Sequence, residues 1–144
     1  MRKIVVGILC CVAAASSACS VTPDYVVMTD VNMRNWHKTA TLEYNNNSEQ
    51  ERNLSIMLHI NSRYKSEHLD LQIKIFSPDS LFFAEDVHLN SSIEWNMPAS
   101  KSTDIEIPYR RNVSLLRNGK YTIHITPLRE ISGVEAVGMN FMAD

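Results

Sequence analysis

Five histidines carry the most versatile side-chain chemistry in the chain: His37, His59, His68, His88 and His124. Metal capture needs ligands that converge at set spacings, and no HxH or HxxxH pair occurs. His59 and His124 fall on the polar phase of alternating segments, as solvated sheet histidines do. A metal-binding cross-strand pair is the other reading of those two. Nucleophilic catalysis has no GxSxG to start from. Carboxylates cluster at Glu85-Asp86 and at Asp104 with Glu106. A glycosidase needs two of them facing one cleft, whereas on alternating strands they line a solvated face. After Gly7 the only glycines are Gly119, Gly133 and Gly138, too few and too scattered for a phosphate-cradling loop. No enzyme, metal or other cofactor is expected from this set.

Trp36, in "NWHK" (Asn35 to Lys38), sits among polar neighbours just before a strand. Large aromatics commonly plug one end of a sandwich. Tryptophan is also a frequent anchor at interfaces, and with His37 beside it Trp36 would serve a protein partner or a sugar. Trp95 in "SIEWNMP" carries the same two readings, and Tyr109-Arg110-Arg111 would flank such a patch.

Cys19 has the most definite chemistry. Arg2 and Lys3 precede a twelve-residue apolar run, Ile4 to Ala15, and then Ser16-Ser17-Ala18. That is the layout of a secretory signal. The run falls short of the roughly 20 apolar residues that cross a bilayer. Three small residues followed by cysteine resemble a bacterial lipobox, in which the thiol becomes thioether-linked to diacylglycerol and the cysteine becomes the new N-terminus. Ser16 stands where leucine is more usual. Ordinary cleavage after Ala18, leaving a free thiol, is the alternative. Cys10 and Cys11 lie in the leader and the body beyond Cys19 has no cysteine. A lone cysteine at a processing site suits an acyl anchor better than a disulfide framework. The expected division is a signal peptide over 1–18, a lipidated cysteine and short tether over 19–24, and one domain over 25–144.

The elements that must carry these residues are strands. Of 14 basic residues, Arg2 and Lys3 leave with the leader, so 12 face 16 acidic ones and the body carries −4. That mild, mixed charge excludes a nucleic-acid surface. Leu54, Ile56, Leu58 and Ile60 alternate with polar or mobile residues, as do Leu69, Leu71, Ile73 and Ile75. Ile105, Ile107 and Tyr109 follow the same rule, and so do Tyr121, Ile123 and Ile125. Period-two alternation buries one face of a strand, and antiparallel sheets with one wet face show it. Tyr25–Met28, Thr39–Tyr44, Phe82–Leu89 and Val137–Phe141 add further strands, with Val26-Val27-Met28 expected at an edge. Turn residues separate the runs, as at Ser77-Pro78-Asp79-Ser80 and Asn118-Gly119. About eight short strands without helices predict an all-β antiparallel sandwich, immunoglobulin-like or jelly-roll-like. In "LLRNGKYTIHI" a turn glycine precedes Tyr121, whose hydroxyl is expected to bond back to the backbone.

Several pieces in order — Trp36-His37-Lys38, "NSRYKSEHLDLQIKIFSPD", "NGKYTIHITPLREI" and "GVEAVGMNF" — resemble the gliding-motility lipoprotein H (GldH) family of Bacteroidetes over residues 34–142. "GVEAVG" (Gly133 to Gly138) is the most specific of them. Residues 84–104, glycine-rich in much of that family, contain none here. The resemblance implies an outer-membrane lipoprotein, held by its lipid and partnered by proteins of the gliding and type IX secretion apparatus, with no small-molecule substrate. Ser20-Val21-Thr22-Pro23 lacks the acidic cluster tied to surface export of lipoproteins in that phylum, which implies a periplasm-facing domain. "DSL" (Asp79-Ser80-Leu81) is similar to the phylum's O-glycosylation motif, with Ser80 as acceptor; a plain Asp-containing turn is the other reading. A glycan- or ligand-binding lipoprotein module, with Trp36 or Trp95 as its platform, is the functional alternative.

Overall fold

A computed structural model describes residues 25–91 and 101–143 of the 144-residue chain. Among them run eight strands: β1 (Tyr25–Asp30), β2 (Ala40–Asn46), β3 (Glu51–Ile60), β4 (His68–Phe76), β5 (Phe82–Asn90), β6 (Thr103–Ser114), β7 (Gly119–Pro127) and β8 (Val134–Ala143). No helix occurs among the described residues. The strands form two four-stranded antiparallel sheets, in the orders β1-β8-β3-β6 and β2-β7-β4-β5.

The pairing decides between the two sandwich types. β1 pairs with β8, β2 with β7, β3 with β6 and β4 with β5. The chain is thus one long antiparallel hairpin with β4 and β5 at its tip. Rolling that hairpin adds the β3–β8 and β4–β7 ladders and sends successive strands to alternate sheets, apart from the tip pair β4 and β5, which share one. This is a jelly roll.

Alternation builds the core as the sequence requires. Ala40, Leu42 and Tyr44 of β2, Leu69, Leu71 and Ile73 of β4, and Tyr121, Ile123 and Ile125 of β7 are buried. They face Leu54, Ile56, Leu58 and Ile60 of β3 and Val134, Val137, Met139 and Phe141 of β8 in one continuous core. β1 is an edge strand, as Val26-Val27-Met28 promised, with Tyr25, Val26 and Met28 on the surface. Gly138 of β8 lets β1 lie close: a Cβ there would stand 2.1 Å from the Val27 carbonyl oxygen. Tyr44 stacks on Phe141 at 3.8 Å and takes the Tyr25 ring at 5.3 Å, closing the end of the sandwich where β1 begins.

Two ladder irregularities re-aim side chains. Between His59 and Ile60 the β3 register moves from Ala136 to Val134, and Glu135 is the extra residue. Near the end of β6 the register shifts against Arg52–Ser55. There Asn112 adopts a φ of 54°, and its amide donates to Asn53 Oδ1 at 3.0 Å.

Candidate functional site

The end of the sandwich remote from Tyr25 gathers segments far apart in sequence. Trp36 and Ile131 exchange backbone hydrogen bonds of 2.9 and 3.0 Å, joining "NWHK" to the end of "TPLREI". The Gly133 amide donates to the Met33 carbonyl at 2.8 Å, and the Gly133 carbonyl accepts from Asn61 at 2.9 Å. Ser132 Oγ donates to the Arg34 carbonyl. Tyr64 is buried beneath, donating to Ser91 Oγ at 2.6 Å, and burial raises its pKa above the usual tyrosine value.

Trp36 is 1% exposed, with its indole N–H donating to the Lys38 carbonyl at 2.9 Å. Of its two readings, the plug describes it. As a surface anchor or sugar platform Trp36 is excluded, because its ring lies inside the core and its polar atom is already paired. His37 beside it is exposed, with Nδ1 3.2 Å from the Asn35 carbonyl oxygen. A cleft of about 480 Å³ opens here, lined by Asp30, Asn32, Asn35, His37, Lys38 and Thr41 among others. Asn35 Oδ1 is a buried acceptor there without a hydrogen-bond partner among the described residues. Met33, Arg34, Lys38, Arg63 and Leu128 are exposed around this end.

Tyr109 belongs elsewhere. It is half-buried on β6, and its hydroxyl donates to Glu85 of β5. Arg110 grips the same carboxylate in a fork, with Nε at 2.9 Å and Nη2 at 2.6 Å. The Arg110 hydrogen bond holds the Glu85 carboxyl below the usual range, while burial and Glu85 together raise the Tyr109 hydroxyl. Arg110 also lies 5.0 Å above the Phe83 ring. Tyr109 and Trp36 therefore do not share a patch. Trp95 and Cys19 lie outside the described residues.

Ser80 is exposed at the tip of the β4–β5 turn, with a φ of 67°. Ser77 accepts from the Ser80 amide at 3.1 Å, and Asp79 accepts from the Ser77 hydroxyl. The turn accounts for Asp79 by itself and leaves the Ser80 hydroxyl accessible.

The remaining titratable clusters are internally matched. Asp70 is held between His88 Nδ1 and Arg129 Nη2, each at 2.5 Å, and these bonds lower its pKa. His59 Nδ1 lies 2.6 Å from Asp104 and its Nε2 3.3 Å from the bulged Glu135. His124 packs edge-on against Phe76. No group of three or more His, Cys, Asp or Glu side chains among the described residues is placed to hold a metal. No helix among them is long and apolar enough to cross a membrane.

Several structurally prominent residues carried little sequence signal. Arg52 is 3% exposed, with Nε and Nη1 unpartnered among the described residues. A charged residue on the same inward phase as Leu54, Ile56, Leu58 and Ile60 was the available clue. Asn46, buried, donates to the Leu115 and Arg117 carbonyls and ties the β6–β7 loop to β2. Leu81-Phe82-Phe83 was legible in principle, since three successive apolar residues entering a strand cannot all face one core.

No family model matches the chain, and no curated protein matches it. Among solved structures, it is similar to one described for the promiscuous specificity of carbohydrate-binding modules from the β-sandwich superfamily. The likeness has a TM-score of 0.35 at 9% identity and covers 83% of this chain and 52% of that one. The chain thus spans about half the length of that structure. Similarity at this level says nothing of a ligand, and the β-sandwich is defined by the strand order itself.

Proposed function

We propose that this protein is a lipid-anchored, periplasm-facing outer-membrane lipoprotein. In it, a jelly-roll domain acts without catalysis as a structural or assembly factor for gliding motility and the linked type IX secretion machinery. The reading rests on the resemblance to the gliding-motility lipoprotein H family and on the lipobox ending at Cys19. One observation supports it most. The pieces that carry the resemblance are far apart in sequence, yet Trp36, Asn61-Ser62-Arg63-Tyr64 and Ile131-Ser132-Gly133 close into one hydrogen-bonded cluster. Such a cluster makes a rigid platform, and His37, Lys38, Arg63 and the exposed Met33 and Leu128 around it suit a protein partner.

Affinity purification of the lipidated protein from detergent-extracted envelopes tests this. Secretion-apparatus subunits should co-purify, and His37→Ala with Arg63→Glu should deplete them. Recovery of no protein partner, together with a saturable sugar-dependent change in tryptophan fluorescence, would replace the reading with a glycan-binding module.

A further inference from the structure

The other end of the sandwich carries an apolar rim that stays exposed despite its internal contacts. Leu81 is 70% exposed, Phe82 65% and Leu116 77%, with Phe83 also on the surface. Leu81 and Phe82 project from the β4–β5 turn and Leu116 from the β6–β7 loop. The two loops are locked together: Pro78 packs where a Cβ on Gly119 would sit, and Arg117 pairs with Asp79 at 3.4 Å. Phe82 stacks on Phe76 at 5.7 Å, so the rim is a fixed surface.

Tyr25 belongs to this same end. Its ring meets Tyr44, Tyr44 pairs with Tyr121, and Tyr121 lies two residues into β7 from Gly119. Cys19 is six residues before Tyr25. At about 3.6 Å per residue, any path between them spans at most about 22 Å. β8, ten residues long, runs about 34 Å from one end of the sandwich to the other. A lipid on Cys19 therefore keeps Tyr25, and with it this end of the sandwich, within about 22 Å of the bilayer, and the domain cannot stand on its opposite end.

We infer that the rim formed by Leu81, Phe82, Phe83 and Leu116 is a lipid-docking surface that seats the domain end-on in the bilayer interface. The inference rests on the lipid anchor proposed above. Exposed apolar patches mark interaction sites, and aromatic rings favour the headgroup boundary. Most charge near the rim is paired, which favours apolar insertion over cation attraction, while the exposed Arg111 beside Phe83 makes no salt bridge among the described residues. Arg117, Lys120 and Arg110 near the rim are matched by Asp79, Glu43 and Glu85. Tethering converts a weak contact into a persistent one, because the rim is held at high effective concentration beside the bilayer. The end that carries Trp36, Tyr64 and Gly133 is then held away from the membrane, free for a partner.

The mature chain offers a clean probe, since no cysteine follows Cys19 and the anchor consumes the Cys19 thiol. Full-length lipidated Leu116→Cys and Arg63→Cys, both at exposed positions, are labelled with an environment-sensitive fluorophore. Each is reconstituted in vesicles of phosphatidylethanolamine and phosphatidylglycerol. The probe at residue 116 should shift to the blue and lose intensity to lipids bearing a nitroxide near the headgroup, at low and high salt alike. The probe at residue 63 should do neither. Protein that floats with the vesicles while both probes respond alike, or neither does, overturns the docking surface and leaves the anchor standing. A response seen only in native membranes assigns the rim to a protein and overturns the inference. Failure to float defeats the anchor itself.

Discussion

Gly133 lies so close against Tyr64 that a Cβ on Gly133 would stand 2.2 Å from the Tyr64 amide nitrogen. Its φ of +87° adds a conformation that side chains resist. Both constraints act where Asn61, Met33 and Trp36 meet, so they explain a glycine at the head of "GVEAVG". Gly133→Ala should lose about 2–4 kcal/mol of stability by denaturant titration. A change within the scatter of surface substitutions would contradict the packing described here.

Tyr121 meets the sequence expectation of a hydroxyl returning to its own chain. Its hydroxyl donates to the Arg117 carbonyl at 3.1 Å and accepts from the Arg117 amide at 3.2 Å. Tyr121→Phe keeps the ring in the core and removes both bonds, so it should cost about 1–2 kcal/mol. It should also raise amide exchange across residues 116–119 more than elsewhere. Equal stability with unchanged exchange would show that the Asn46 and Asp79 contacts hold the loop without the Tyr121 hydroxyl.

Acid should weaken the fold. Glu85, held by Arg110, and Asp70, held by His88 and Arg129, both ionise at lower pH when folded than an ordinary carboxyl does. The unfolded chain therefore takes up protons first, near pH 4. Stability is full above that value and falls as the pH drops through the depressed folded values. The denaturant midpoint should decline from pH 5 to pH 3, and Glu85→Gln should flatten the decline. A midpoint that rises on acidification would have the wrong sign for this arrangement.

Ser80 stands one residue before Leu81 on the proposed lipid-facing rim. A sugar on its hydroxyl would hold the turn in water. Mass spectrometry of protein recovered from its native envelope should find the Ser80 peptide unmodified. A hexose-bearing Ser80 peptide would favour the glycosylation reading of "DSL" and place the rim in the aqueous phase.

How much of this was legible in the sequence depends on which physical signal each feature leaves. Alternation in segments such as Leu69–Ile75 marks a buried face, and all eight anticipated strands are present. Even the edge position of Val26-Val27-Met28 followed from its place in the chain. The choice between immunoglobulin-like and jelly-roll order depends on long-range pairing such as β1 with β8, which no local pattern encodes. Trp36 illustrates the limit at the candidate site. Its polar neighbours left both the plug and the anchor readings open, and His37 and Lys38 turn outward around a ring that points in. Tyr109 alternated correctly, while its partner Glu85 comes from a strand whose position depended on the roll. Arg52 sits on the inward phase of β3, so its burial follows the alternation although its charge does not.

The proposed function stands on Cys19 carrying a lipid that holds the domain at a membrane. Fractionation of cells producing wild type and Cys19→Ala, with mass analysis of the N-terminal peptide, tests it most directly. Wild type should sediment with outer membranes, its first residue an acylated Cys19. Cys19→Ala should appear as folded protein in the soluble fraction. An unacylated Cys19 in the wild type, or a Cys19→Ala protein that stays membrane-bound, would contradict the account.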